Sequence, residues 1–267
     1  GCLGERNRKN SPCRVAQGAI LGERADLSTD RIIENQGMTK HTNHADVLII
    51  GAGFAGLGMA IRLRQAGIHN IIILERSDQV GGTWRDNQYP GAACDIPSNL
   101  YSYSFAPNPN WSRSYSGSAE ILDYVHAMVR DFDLLPLIRF EQSVNGLAFD
   151  LQQGLWRATT SAGECFSGRA AVMASGPLSN CSLPDIPGID GYGGTMIHSA
   201  RWDHGYDFKG KKVAVVGTGA SAVQIIPELV KEVEQLTVFQ RTAGWVLPRL
   251  DLATPEWNKA LFRSLPV

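Results

Sequence analysis

The chain has no C-x-x-C pair: Cys2, Cys13, Cys94, Cys165 and Cys181 are scattered and odd in number. This excludes a redox dithiol and a cysteine zinc site, and no other metal is expected. The same usage points to a reducing, cytoplasmic setting. Charge of either sign is nearly balanced, with a formal net value of −1. Bulk electrostatics therefore offer no attraction to nucleic acid or to an anionic membrane. No loop ends in G-K-[ST], so a P-loop nucleotidase is excluded. The longest apolar stretch, Val47 to Ile61, falls short of the ~20 residues of a membrane span and is broken by glycines.

What is present suits a globular chain of one to two domains: 267 residues, 43% apolar and 19% charged. Residues 1–44 are polar and aperiodic, and are expected to be a disordered leader or upstream read-through with Met38 as the true start. The pattern from Asp46 to Arg76 predicts a β-α-β unit, with a helix from about Gly56 to Gln65 ending at Gly67 and a strand over Asn70–Glu75. Gly81 to Gly117 reads as a long irregular segment, a place where function concentrates. Ser118 is expected to cap a helix through about Phe132, with Ile121, Val125, Met128 and Val129 on one face. Strands are expected at 138–140, 143–149, 155–160 and 170–173, forming a small antiparallel meander. Residues 181–191, with Pro184, Pro187 and Gly188, read as a linker. A second β-α-β unit starts at Lys211, with Pro227 ending or kinking its helix and a strand over Leu236–Gln240.

Each β-α-β unit opens with a glycine fingerprint. The first is Gly51-Ala52-Gly53-Phe54-Ala55-Gly56 behind Val47-Leu48-Ile49-Ile50; the second is Gly217-Thr218-Gly219-Ala220-Ser221-Ala222 behind Val213-Ala214-Val215-Val216. The first glycine of such a motif makes the strand-to-helix turn, the second lets a pyrophosphate approach the backbone, and the third, Gly or Ala, allows close helix–sheet packing. The helix N-terminus then supplies free N–H groups to the phosphates. Counting 24 residues from the first glycine reaches Glu75 in one copy and Arg241 in the other. An acid there suits a free ribose diol, and an arginine suits a 2′-phosphate, as in NADPH. The fold class is therefore α/β: two Rossmann-like dinucleotide-binding domains, over 45–180 and 192–267, with the meander in the first and the second incomplete.

Gly81-Gly82-Thr83-Trp84, then Tyr89-Pro90-Gly91, then Cys94-Asp95 resembles the Baeyer–Villiger monooxygenases, ketone-oxidising flavoproteins that use FAD and NADPH. A second family fingerprint, F-x-G-x-x-x-H-x-x-x-W followed by Pro or Asp, is matched by Tyr192 to Asp203, with Tyr192 where Phe is usual and His198 and Trp202 in place. Met173-Ala174-Ser175-Gly176-Pro177-Leu178-Ser179 is a third echo, with Ser175 where Thr is common. The resemblance implies Glu75 on the FAD ribose; Thr83, Trp84, Asp95 and Tyr101 along the flavin half; and a backbone contact of Val144 to the adenine side. It implies Thr218, Gly219, Ala220, Ser221, Gln224, Arg241 and Thr242 on NADPH, beside Gly217, and His198 as a coupling residue between the domains.

The activity implied is insertion of oxygen from O2 next to the carbonyl of a small ketone, through a C4a-peroxyflavin, to give an ester or lactone. The family's aspartate, matched by Asp95, holds an arginine beside the reacting flavin; that arginine is expected beyond Val267. The chain is thus expected to be an N-terminal fragment, inactive in oxygenation alone. Two alternatives stand: an N- or S-oxygenating flavin monooxygenase, which Trp202-Asp203 disfavours, and a non-catalytic dinucleotide-binding fragment.

Overall fold

The computed structural model describes residues 43–264. The expected leader with its start at Met38 lies outside the described residues, except for its last two positions. Of these, His44 belongs to the sheet as the first residue of β1 (His44–Ile50), its ring hydrogen-bonded to Ser167 Oγ at 2.9 Å.

The first lobe follows in chain order. β1 leads into α1 (Phe54–Gln65) and β2 (Ile71–Leu74), whose four residues are all buried. A four-residue helix, α2 (Thr83–Asp86), opens the irregular segment, and α3 (Ser118–Asp131) closes it. Strands β3 (Ile138–Arg139), β4 (Val144–Asp150), β5 (Leu155–Thr160) and β6 (Cys165–Met173) complete the sheet in the order β3-β2-β1-β6-β5-β4. The first four in that order are parallel, while β6-β5 and β5-β4 are antiparallel. The second lobe is built on β7 (Lys212–Val216), α4 (Ala220–Leu229) and β8 (Gln235–Phe239), with β7 and β8 parallel. A last helix, α5 (Glu256–Ser264), follows.

The following details differ from the sequence expectation. β3, expected in the antiparallel meander, instead pairs in parallel with β2 at the opposite edge of the sheet, so the meander is β4-β5-β6. α1 starts at Phe54 rather than Gly56, with Gly53 at its N-cap. Ser118 is the first residue of α3 rather than its cap, which is Gly117. β6 begins at Cys165, not 170: residues 165–168 pair with β5 and residues 167–173 with β1. A Cβ on Gly168 would stand 2.9 Å from Leu48 Cγ, so the absent side chain admits the neighbouring strand. Of the two outcomes expected for Pro227, it does not end the helix: it sits inside α4, which continues to Leu229.

The core lies between α1, α3 and the sheet, where Ile49, Leu57, Ile61, Ile73, Trp111, Ile121 and Val125 are buried. On α3 the expected face is present, with Tyr124 joining Ile121, Val125 and Met128. A separate apolar cluster joins the lobes: Tyr89 and Ala92 from the first meet Ile225 and Leu229 of α4. The sequence assigns the stretch after β8 to the second nucleotide unit. Instead it runs back along the first lobe, with Thr254 N donating to Ser112 O at 2.8 Å, Ser114 N to Leu252 O at 2.9 Å, and Arg113 paired with Asp251 at 2.9 Å.

Candidate functional site

The first fingerprint forms a strand-turn-helix in which the ends of β1 and β2 are tied together, Gly51 N donating to Leu74 O at 2.8 Å. Gly51 has φ +108°, a conformation open in practice to glycine only. A Cβ on Gly56 would run into the Gly51 carbonyl, which is why the helix can begin this close to the strand. Glu75, one residue beyond β2, is 4% exposed. Its Oε2 accepts the Ala52 N–H at 2.8 Å, and its Oε1 accepts from Ser77 N and from Arg85 Nη1, both at 3.0 Å. Arg85, 10% exposed, also pairs with Asp86, and Asp86 pairs with Arg76. Arg76 in turn donates to Ser179 O and Asn180 Oδ1, so an ion-pair chain runs from the carboxylate to the strand-exit segment after β6.

These groups border a cavity of about 620 Å³ at the C-terminal ends of β1, β2 and β6. Among the residues expected from sequence, Gly51, Gly53, Glu75, Thr83, Trp84 and Val144 line it. Tyr101 stands behind it, its hydroxyl accepting from Trp84 Nε1 at 2.9 Å. Asp95 is exposed and outside the lining. Most of the third echo, Met173–Gly176 with Leu178 and Ser179, also lines the cavity, as do Gln142 and Asn180, which sequence reasoning assigned no role. The signal that finds them is topological: ligands of open α/β sheets sit beyond the carboxyl ends of the strands. Gln142 Oε1 is buried with no hydrogen-bond partner among the described residues, an acceptor suited to a donor from a bound ligand.

The second fingerprint repeats the geometry. Gly217 has φ +108°, Gly217 N donates to Phe239 O at 2.8 Å, and Gly219 is the N-cap of α4 as Gly53 is of α1. The equal count to Glu75 and Arg241 does not survive in space. Ile50 pairs with Leu74 but Val216 pairs with Phe239, a connection one residue shorter. The position matching Glu75 is therefore Gln240, and Arg241 lies one step further. Arg241 and Thr242 are exposed, and Arg241 has no hydrogen bond or ion pair among the described residues. Thr218, Ala220 and Ser221 lie at the turn, but the Gln224 amide points to the first lobe and bonds Tyr89 and Ala93.

His198 is the N-cap of a short turn, its Nδ1 accepting from Ala200 N at 3.1 Å. That turn sets Trp202, stacked on Phe208 at 5.3 Å, against the interlobe cluster. Among the described residues no group of three or more His, Cys, Asp or Glu could hold a metal ion, and no helix is long and apolar enough to cross a membrane.

Sequence comparison matches residues 48–254 to the pyridine nucleotide-disulphide oxidoreductases. The chain belongs to this family. Within it, the chain is 51% identical over 223 residues to a Baeyer-Villiger monooxygenase of Streptomyces coelicolor, and 43% identical over 224 residues to one of Pseudomonas aeruginosa. These alignments cover 84% of this chain but 43% and 42% of the relatives, so the chain spans under half their length. A steroid monooxygenase bound to NADP superposes with a TM-score of 0.77 at 40% identity, covering 84% of this chain and 43% of that one. A cyclohexanone monooxygenase from Rhodococcus sp. Phi1 gives 0.77 at 35%, over 83% and 42%. Despite the family's name, the described cysteines Cys94, Cys165 and Cys181 are in no disulfide.

Cys94 is 1% exposed, and burial pushes its thiol above the usual cysteine range. A packed, inert residue is the consequence. In the folded chain Cys94 is expected to alkylate roughly a thousandfold or more slowly than exposed Cys181, since only the open fraction reacts. Mass mapping of iodoacetamide adducts against time checks this, and comparable rates would refute it.

Proposed function

We propose that this chain carries the FAD- and NADPH-binding parts of a monooxygenase that inserts one atom of O2 next to the carbonyl of a small ketone. The observation that supports it most is the pairing of a glycine turn at φ +108° with a buried acid, Glu75, at the rim of a 620 Å³ cavity, and of the same turn with the exposed Arg241 in the second lobe. A volume of this size falls in the range of ligand sites. The donor set fits FAD: the N-terminus of α1 for the pyrophosphate, Glu75 for the ribose diol, and Gln142, Val144, Thr83 and Trp84 elsewhere in the lining. Tyr101 holds Trp84 from outside the lining, and Asp95 also lies outside it. For NADPH, the N-terminus of α4 takes the pyrophosphate, and Arg241 with Thr242 takes the 2′-phosphate.

When bound, FAD and NADPH supply hydride transfer and oxygen activation; the protein supplies position and electrostatics. Glu75 and the α1 N-terminus fix the nucleotide half. His198 and Trp202 hold the connection between the lobes, so that relative lobe position is set by packing. The relatives named for ketone oxidation and the Trp202-Asp203 pair favour this reading over N- or S-oxygenation. The scattered cysteines support a reducing cytoplasm as its setting.

Titration of the 267-residue chain with FAD and with NADPH tests the proposal, and absence of FAD binding would overturn it. Ester formation from a cyclic ketone is expected only from a longer protein supplying the arginine. Replacing Arg241 with Ala is expected to raise the NADPH Kd about tenfold or more, the worth of a charge-assisted phosphate contact, while leaving NADH unchanged. Equal losses for both nucleotides in fluorescence titrations would remove Arg241 from 2′-phosphate recognition.

A further inference from the structure

The loop Tyr89–Asp95 is held from two sides. On one side an isolated antiparallel bridge joins Ala93 to Gly117, with Cys94 N donating to Ser116 O and Ser118 N to Ala92 O, both at 2.9 Å. That pairing uses the neighbours of Ala93 and leaves its own N–H and C=O facing the other way. Both meet one side chain from the second lobe. Gln224 Nε2 donates to Ala93 O at 2.9 Å, and Gln224 Oε1 accepts from Ala93 N at 3.3 Å and from Tyr89 OH at 3.0 Å. The amide thus acts as one residue of an added strand, and no apolar side chain could satisfy the same pair of backbone groups.

The fit is close as well as polar. Gly91 has φ +79°, and a Cβ there would lie 2.6 Å from Gln224 O, so the loop touches the α4 backbone. Around the amide lie buried Tyr89, Ala92, Ile225 and Leu229. Gln224 stands about one turn past the Gly219 N-cap, where the second nucleotide is proposed to bind. The loop, in turn, begins right after α2, whose Thr83, Trp84, Arg85 and Asp86 line the first cavity. Gln88 Nε2 donates to Arg85 O and Asn87 Nδ2 to Thr83 O, both at 2.9 Å, so α2 and the start of the loop move as one piece.

We propose that Gln224 is a positioning residue that makes occupancy of the two nucleotide sites mutually dependent, by tying the helix of the second site to the loop that continues from the wall of the first. This rests on the two-nucleotide reading above. A nucleotide that orders α4 thereby orders α2, and by linkage each nucleotide changes the affinity of the other by the same factor.

The test compares the wild-type chain with Gln224→Met, of similar length, and Gln224→Glu, which keeps the acceptor and loses the donor. Without nucleotide, amide exchange at Ala93 is expected to quicken in Gln224→Met, which removes the acceptor of its N–H, while β1 and α1 keep their protection. FAD Kd is then measured with and without saturating NADP+. The wild type is expected to show a shift of roughly fivefold or more, and both variants a shift near one, with each single-nucleotide affinity less affected than the coupling. Unchanged Ala93 exchange in Gln224→Met overturns the proposal, as does a wild-type shift that persists in Gln224→Met or a wild type with no shift. Failure of the chain to bind either nucleotide strikes the function proposed above, and the exchange measurement still judges the Gln224 joint on its own.

Discussion

Gly51→Ala is expected to abolish FAD binding and to lower stability far more than Gly217→Ala, although the two positions share φ +108°. Both substitutions force a side chain into a conformation outside the regions L-residues adopt, a cost of about 1–3 kcal/mol each. Only at Gly51 does the new Cβ also meet backbone, 2.6 Å from Ala174 O; at Gly217 nothing lies within 4 Å. Ala174 cannot retreat cheaply, because it follows β6 and its N–H is bonded to Ile50 O at 2.9 Å. The excess loss at Gly51 therefore measures a steric collision between β1 and the β6 exit, separate from torsional strain. Against a total stability of roughly 5–15 kcal/mol, the summed cost leaves a chain that is marginal or unfolded. Urea unfolding of the two variants reports it directly; equal midpoints would show that the collision is relieved and that strain alone matters.

Glu75→Gln is expected to weaken FAD binding by about a hundredfold or more, even where the chain still folds. The carboxylate accepts two backbone N–H groups and one guanidinium. A carboxamide turns one of those acceptors into a donor aimed at another donor. Breaking one partner of a buried charge pair costs up to about 3–5 kcal/mol, and less where, as here, the guanidinium keeps a second carboxylate in Asp86. Arg85 is also linked through Asp86 to Arg76 and the 179–180 segment, so the loss spreads along the cavity rim. The amide would in addition give up the strong acceptor that suits a ribose diol. Glu75→Asp is the control: it keeps the charge and is expected to bind FAD better than Glu75→Gln. If the amide variant binds as tightly as the wild type, Glu75 serves only the protein's own hydrogen bonds.

The glycine turns, Glu75 and the two β-α-β units were legible in sequence because each is local: a strand, a turn with positive φ and a helix within some 25 residues leave a fixed spacing. Spacing failed where it stood in for register. Arg241 shares the count of Glu75 but not its place, since the second connection is one residue shorter and strand pairing decides equivalence. Gln224 lies two residues past a nucleotide fingerprint, yet its side chain turns to a partner 131 residues away, which no local pattern encodes. The same holds for β6, a strand that pairing on both sides makes stable, and for the stretch at 251–254, which bonds back to the first lobe. The resemblance supplied Trp84 and Val144 at the cavity; the remaining lining follows from strand ends that meet only after folding.

The position of β6 has a consequence for synthesis. β1 is the first of the described strands, but one of its neighbours in the sheet is β6, and His44 and Ser167, bonded across that pair, are 123 residues apart. Until the ribosome has released residue 173, β1 and β2 stand as a short parallel ribbon with one bare apolar edge, the kind of edge that recruits foreign strands. The slow step in folding is then closure of this long loop rather than formation of either helix. A nascent chain stopped before β6 is expected to aggregate more readily than one stopped just after it.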